Sequence, residues 1–292
     1  MIIGFGSIKT QYIAKLAAIL AVSHLRLFDL LDGEKEENSF LPYAAIPATG
    51  ADPFLLSDHL IAVDPRDRTV KLVKCPRLLC QSIILDPGLS EQISGKFVPT
   101  AAFDGLCTSM EAYCSIKSSF FSDALLEQAI SLYARMMYSY VDNMVSDMHG
   151  ASVHAGLLMA LGASVSSPGI GTALSYALNG KFPVAKSWCA TVLLPYVMEK
   201  LVASRPEKMA KVAALMGEIS EGVSTADAAN IAVDTVRRFM GQLQVPARLK
   251  DFNLSLDRLV PTAESARDLE FVSSSPWTVT TEGAYDLLKQ AF

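Results

Sequence analysis

Histidine is scarce in this sequence. The 292 residues include four histidines, and none of them follows residue 154: His24, His59, His149 and His154. From these few histidines the sequence pattern identifies no Ser-His-Asp or Cys-His arrangement of the kind that supports nucleophilic catalysis. The five cysteines form no C-x-x-C pair, and their number is odd. This pattern favours reduced thiols over a disulfide framework.

The sequence also lacks the features of membrane, secreted and nucleic-acid-binding proteins. Its residues are 51% hydrophobic and its mean hydropathy is +0.30, yet no stretch supplies the about 18–20 uninterrupted apolar residues that a bilayer span needs. The first residues lack the apolar core and cleavage site of a signal peptide. The net charge is −5, and Lys and Arg are dispersed. We therefore expect a cytoplasmic protein without a membrane or nucleic-acid partner.

Two parts of the chain differ in pattern. Residues 1–97 alternate short apolar runs with glycine and proline turns, which predicts strands near 41–48, 58–64, 70–75 and 81–86. A first strand and glycine turn precede a predicted helix with one apolar face, formed by Ile13, Leu16, Ala17 and Leu20. Residues 98–292 show helical spacing almost throughout. The sequence therefore predicts a partial α/β domain over 1–97 and an all-helical domain over 98–292.

Several motifs occur in a fixed order along the chain. They are "IIGFGSIK" (2–9), "AAIPATG" (44–50), "ILDPGL" (84–89), "AAFDGLCTSMEAYCS" (101–115), "GIGTALSYALNGKFPVAKSWCATVLLPYVMEKL" (169–201) and "VPARLKDFNL" (245–254). In this order and spacing they resemble the iron-containing (group III) alcohol dehydrogenase family of the dehydroquinate synthase-like superfamily. The resemblance implies a truncated Rossmann-like nucleotide-binding domain followed by a larger all-helical domain, an α/β + all-α fold. It also implies an NAD(P)-dependent oxidoreductase that interconverts an alcohol and a carbonyl.

The metal site implied by the resemblance is degenerate. Family members hold a divalent metal with one Asp and three His. Asp104 matches the Asp and is the only ligand retained, Thr108 stands at the first His position, and the other two positions fall in or near 172–178 and at or near Lys186. We therefore expect no metal. Our hypothesis is that Lys186 forms a buried ion pair with Asp104 in the former metal cavity; the alternative is that Lys186 points to solvent from a loop.

The nucleotide-binding residues implied by the resemblance are Gly4, Gly6, Ser7 and Thr49. The glycine turn leads into a helix whose N-terminal amides can hold the pyrophosphate of NAD or NADP. Phe5 replaces a family glycine, and we expect it to crowd that approach. The family segment that carries the strands beneath the adenosine has no counterpart in the sequence, which predicts an N-terminally short nucleotide site.

Further residues have both a functional and a structural interpretation. Cys107 lies three positions after Asp104, and Cys189 lies three positions after Lys186. The two cysteines could form a thiolate site, or they could be buried core residues. Glu111 lies on the predicted face of Asp104, and its structural interpretation is a hydrogen bond to a neighbouring helix. Tyr113 and Tyr176 could donate a proton to a carbonyl oxygen if a cation lies nearby.

The sequence leaves different functions open. In one, Lys186 and Asp104 are catalytic residues of a metal-free enzyme that acts on a small alcohol or aldehyde. In the other, the chain is a catalytically inactive, degenerate family member that serves as a scaffold or partner subunit, or a truncated product. The exposed edge of a short sheet favours a homodimer or pairing with a full-length homologue.

Overall fold

The strands form a small parallel sheet and a separate hairpin. The computed structural model describes residues 1–36, 40–91, 97–142, 149–218 and 222–292. Its strands are β1 (Ile2–Gly6), β2 (Tyr43–Pro47), β3 (His59–Val63), β4 (Val70–Lys74) and β5 (Cys80–Ile83). The parallel sheet has the order β1-β2-β5, and β3 pairs with β4 in an antiparallel hairpin. The strands predicted near 41–48, 58–64, 70–75 and 81–86 are confirmed, with shorter bounds.

Helices make up most of the rest of the described chain. They are α1 (Ile8–Leu20), α2 (Leu27–Leu31), α3 (Pro87–Glu91), α4 (Phe97–Cys114), α5 (Phe120–Val141), α6 (His149–Val165), α7 (Ile170–Lys181), α8 (Lys186–Ser204), α9 (Pro206–Leu215), α10 (Thr225–Gln242), α11 (Leu259–Arg267) and α12 (Thr281–Gln290). Short 3-10 helices cover Leu249–Phe252, Leu256–Arg258 and Glu270–Ser274. The predicted fold class is confirmed: a small α/β part with a parallel sheet, followed by a larger helical part. The division at 97/98 stays a prediction, and α4 begins beside it.

The buried face of α1 differs from the predicted one. Ile13, expected on the apolar face, is 66% exposed, whereas Lys15 is buried. The Lys15 Nζ donates hydrogen bonds to the carbonyls of Phe54 (2.5 Å), Ser57 (2.8 Å) and His59 (3.2 Å). Burial lowers the pKa of this ammonium. Because three carbonyls replace its water, a lysine can face the core here and tie α1 to the loop before β3.

Two glycines allow the loop after β2 to contact α6 directly. A Cβ on Gly50 would lie 2.2 Å from the Ser152 carbonyl oxygen, and a Cβ on Gly156 would lie 2.4 Å from the Gly50 Cα. The Tyr133 hydroxyl of α5 donates a hydrogen bond to the Gly50 carbonyl. These contacts leave no room for larger residues, and they hold the adjacent Thr49 at the junction of sheet and helices.

The apolar composition of the helices reflects burial against one another. α4 has nearly all of its side chains buried, and it packs against both α7 and α8. Within the described residues, no single helix has the length and hydropathy of a bilayer span; Gly150–Val165 and Ile170–Lys181 reach them only as a pair, bent by 109°. The candidate site lies where α4, α7 and α8 meet.

Candidate active site

Lys186 and Asp104 form a buried ion pair where α4 meets the first residue of α8. The Lys186 Nζ lies 2.6 Å from the Asp104 Oδ1, and the two side chains are 7% and 1% exposed. The Asp104 Oδ2 has no hydrogen-bond partner among the described residues. Burial raises the pKa of the Asp104 carboxyl, and the Lys186 ammonium opposes that shift. The predicted ion pair is therefore present, and the alternative of a solvent-directed Lys186 is wrong.

Thr108 and Thr172 complete the group around this ion pair. Thr108 lies one helical turn after Asp104 on α4, and its Oγ1 is 3.1 Å from the Thr172 Oγ1 of α7. Both side chains are fully buried. The sequence left one ligand position open across 172–178, and we infer that it is Thr172, because this residue contacts Thr108. The structure thus brings together the four positions at which the resemblance implies metal ligands.

The side chains at these four positions do not fit a divalent metal. They offer one carboxylate, two hydroxyls and the ammonium of Lys186, which has no free lone pair and already contacts Asp104. Family-type coordination needs imidazole nitrogens in addition to the carboxylate. In the described ranges, no cluster of three His, Cys, Asp or Glu side chains could hold a metal ion.

Tyr176 connects the ion pair to α1. The Lys186 Nζ lies 4.6 Å from the centroid of the Tyr176 ring. The Tyr176 hydroxyl is 2.7 Å from that of Tyr12, which donates to the Asp52 Oδ1 at 2.8 Å. Burial raises the pKa of both tyrosines, and the Asp52 charge adds to the shift. Both therefore stay protonated at neutral pH. Tyr12 and Asp52 escaped prediction because they are 40 residues apart and only the fold joins them.

A cavity of about 400 Å³, here called the central cavity, connects the ion pair with the start of α1. The lining at the α1 end includes Ser7 and Lys9, and Thr49, Asp104 and Lys186 are lining residues as well. Ser7 is the N-cap of α1 but its side chain makes no capping hydrogen bond. The amides of the first helical turn have no acceptors within the helix. This end of the central cavity can therefore hold a phosphate group.

The glycine turn has structural roles at Gly4 and Gly6, and its predicted role in nucleotide binding stays a prediction. Gly6 has φ +134°, a backbone conformation that favours glycine, at the turn from β1 into α1. A Cβ on Gly4 would lie 2.5 Å from the Gln11 Oε1, so Gly4 allows α1 to pack closely on β1. Phe5 is 58% exposed and does not line the central cavity. Its side chain faces the opposite way in the strand from Gly4, and the expectation that Phe5 crowds the phosphate approach stays a prediction.

Glu111 caps the N-terminus of α7. Its carboxylate accepts hydrogen bonds from the backbone amides of Gly169 (3.1 Å), Gly171 (2.5 Å) and Thr172 (3.0 Å) and from the Thr172 hydroxyl (2.7 Å). Burial raises the pKa of the Glu111 carboxyl, and these donors oppose the shift. The structural interpretation of Glu111 is confirmed. Its function is to hold α7 so that Thr172 reaches Thr108.

The substitution Glu111→Ala should lower the free energy of unfolding by about 3–5 kcal/mol, because it leaves several buried donors without acceptors. Glu111→Gln is the matched control: it keeps the size and one acceptor oxygen, and we expect a smaller loss. Urea unfolding followed by circular dichroism measures both. A Glu111→Ala protein as stable as the wild type would contradict the capping role.

Tyr113, Cys107 and Cys189 have structural roles. The Tyr113 hydroxyl donates a hydrogen bond to the Glu127 Oε1 at 2.9 Å. Tyr113 is not among the residues that line the central cavity. Cys107 and Cys189 are buried, and burial raises the pKa of both thiols. Among the described residues, neither belongs to a group of three His, Cys, Asp or Glu side chains that could hold a metal ion. The core interpretation of these cysteines is confirmed.

Sequence comparison supports the same family as the motifs. The Fe-containing alcohol dehydrogenase family, C-terminal part, matches residues 99–292. Long-chain-alcohol dehydrogenase 1 of Geobacillus thermodenitrificans (strain NG80-2) is 30% identical over 285 residues, which cover 94% of this chain and 71% of that protein.

Solved structures share the fold. The crystal structure of a 1,3-propanediol oxidoreductase has a TM-score of 0.90 at 24% identity, covering 99% of this chain and 76% of its own. A sulfoacetaldehyde reductase from Bifidobacterium kashiwanohense, solved in complex with NAD+, has a TM-score of 0.82 at 14% identity and covers 99% and 75% of the two chains. The family match over residues 99–292 and the 30% identity with the long-chain-alcohol dehydrogenase show that the chain belongs to the iron-containing alcohol dehydrogenase family.

Proposed function

We propose that this protein is an NAD(P)-dependent oxidoreductase that interconverts an alcohol and a carbonyl without a metal. The observation that carries the proposal is the Lys186 ammonium, which Asp104 holds at 2.6 Å among the four former ligand positions. A fixed cation in a buried site stabilises negative charge on a carbonyl oxygen more strongly than the same cation in water. The names of the relatives, a long-chain-alcohol dehydrogenase and a sulfoacetaldehyde reductase among them, support the class of substrate.

The reduction would use Lys186 as the proton donor. The carbonyl oxygen accepts a hydrogen bond from the Lys186 Nζ, which withdraws electrons from the carbonyl carbon. A nicotinamide nucleotide supplies the hydride when bound. The oxygen takes one proton from the Nζ and becomes the alcohol hydroxyl, and the neutral amine then regains a proton from solvent. Asp104 holds the Nζ in place for this transfer, at 2.6 Å from its Oδ1.

The nucleotide would occupy the end of the central cavity that lies at the start of α1. Ser7 and the amides of the first turn of α1 would hold its phosphates, and Thr49 lies beside them. The absence of acidic residues from this first turn supports the assignment, since a carboxylate there would repel a phosphate.

The test is aldehyde-dependent oxidation of NADH and NADPH by protein dialysed against a chelator. We expect turnover that the chelator does not reduce. The variant Lys186→Met should lose about 100-fold to 1000-fold in kcat, as for removal of one oxyanion donor, while the Kd for the nucleotide stays unchanged. Lys181→Met, which removes a neighbouring cation on α7, is the control and should keep its kcat. Turnover that appears only after Fe2+ or Zn2+ is added would contradict the metal-free reaction.

The competing function is that of a catalytically inactive scaffold or partner subunit. The replacement of three metal-binding histidines by Thr108, Thr172 and Lys186 favours it. Thermal melts with NADH and NADPH separate the two, since a ligand that binds the folded state raises the melting temperature. If the protein shows no turnover, and if no nucleotide raises its melting temperature, the non-catalytic function replaces the enzymatic one.

A further inference from the structure

A second cavity, of about 500 Å³ and here called the apolar cavity, opens beside Lys186 between α1, α2 and the β3-β4 hairpin. Its walls are mainly aliphatic and include Ile13, Leu16, Leu27, Leu31, Ile61 and Val70. Four residues line both this cavity and the central cavity: Ile8, Lys9, Asn179 and Lys186. The two cavities therefore meet at the candidate catalytic lysine.

The polar groups in the wall of the apolar cavity are largely satisfied within the protein. The Tyr12 and Tyr176 hydroxyls bond to each other, and Tyr12 also donates to Asp52. The Arg68 Nε donates to the Gly180 carbonyl at 2.9 Å. No carboxylate is among the described residues that line this cavity. A ligand therefore meets mainly aliphatic side chains, and it meets Lys9 and Lys186 where the two cavities join.

The exposed side chains on this wall point to the same kind of ligand. Ile13 is 66% exposed on α1, and Val63 of the hairpin is 41% exposed. Large aliphatic side chains that face solvent on two elements around one cavity are typical of a binding site. A hydrocarbon chain between them would remove this surface from water, which is the main favourable contribution to binding for such groups.

We infer that the apolar cavity binds the hydrocarbon chain of a long aliphatic alcohol or aldehyde whose oxygen lies at Lys186. This inference rests on the proposed function, and it names the substrate class of that reaction. The nucleotide reaches Lys186 through the central cavity and the substrate chain through the apolar cavity, so both fit at once. Each buried methylene adds about fourfold to binding, equivalent to about 0.8 kcal/mol.

The experiment compares ethanal, butanal, octanal and decanal as substrates with NADH. We expect kcat/KM to rise by about threefold to fourfold per methylene until the chain fills the cavity. Two variants change the wall: Ala62→Trp fills it from the hairpin, and Ile13→Glu adds a charge at an exposed position. Each should lower the ratio of kcat/KM for decanal to that for ethanal by about tenfold or more. Val260→Glu, at an exposed position of α11 outside both cavities, should keep the wild-type ratio.

Calorimetric titration with 1-decanol separates this inference from the reaction. Binding of 1-decanol that Ala62→Trp weakens, in a protein that oxidises no NADH, supports the apolar cavity and overturns the proposed reaction. Equal kcat/KM for ethanal and decanal, with no binding of 1-decanol, overturns the inference and leaves the reaction standing. If 1-decanol does not bind and no substrate is turned over, the proposed reaction and the apolar-cavity inference are both overturned.

Discussion

Replacing Lys186 with methionine should lower the free energy of unfolding by about 3–5 kcal/mol at neutral pH, the loss typical of breaking a buried ion pair. The reason is the carboxylate left behind. Asp104 is 1% exposed, and Lys186 is the hydrogen-bond partner that the structure gives its Oδ1. Without the ammonium, Asp104 must either stay charged in a low-dielectric interior or take up a proton.

The deficit of Lys186→Met should depend on pH in a defined direction. Burial raises the pKa of Asp104, and removal of Lys186 removes the opposing influence. A carboxyl whose folded-state pKa lies above its unfolded-state pKa destabilises the fold as pH rises through the folded-state value. The variant should therefore approach wild-type stability as the solution is acidified. Guanidinium unfolding across a pH series measures this.

The double variant Lys186→Met, Asp104→Leu is the control for charge. It removes the stranded carboxylate together with its partner, so we expect it to recover most of the loss. Lys211→Met, which breaks an exposed pair with Glu127, should change stability by about 1 kcal/mol or less. If Lys186→Met were as stable as the wild type at neutral pH, the buried ion pair would be refuted.

Local sequence patterns predicted the strands and helices of this fold. They did not always predict which face of a helix is buried. Gly50 and Pro65 mark the turns that bound the β3 region, and the strand prediction there holds. The face of α1 was predicted wrongly because periodicity treats Lys15 as a surface residue. Its three carbonyl partners lie 39 to 44 residues away in the chain, and no local pattern reveals such partners.

The candidate site was predictable where a family motif fixed the spacing. Asp104 and Lys186 could be paired because each lies at a fixed distance in sequence from a family motif. Counting from the motif around Glu111 and from the motif around Pro195 placed both residues at ligand positions of one metal site. Thr172 could not be assigned by counting, since the register between motifs allows several positions. Its assignment needed the contact with Thr108, and that contact depends on the capping of α7 by Glu111.

The largest gain of function we expect is the restoration of a metal site by Thr108→His, Thr172→His and Lys186→His together. Asp104 would then face three imidazoles, the carboxylate-and-histidine set that suits Zn2+ or Fe2+. The positions already converge, since Thr108 contacts Thr172 at 3.1 Å and Lys186 contacts Asp104 at 2.6 Å. Without metal, the larger side chains at 108 and 172 should cost about 1–3 kcal/mol by overpacking, and the loss of the Lys186–Asp104 ion pair adds the cost of about 3–5 kcal/mol given above. At a Zn2+ concentration 100 times Kd, binding should return about 2.7 kcal/mol and raise the melting temperature.

The variant Thr108→His, Thr172→His with Lys186 retained is the matched control for this restoration. Its ammonium still holds Asp104 and repels a divalent cation at the same point. We therefore expect no rise in its melting temperature with Zn2+, and a rise only when Lys186 is also replaced. A triple variant that keeps its helical circular dichroism yet binds no Zn2+ by calorimetry would contradict the assignment of these four positions. A response in both variants would mean that Lys186 does not control the site, because the metal would then bind beside an intact Lys186–Asp104 pair.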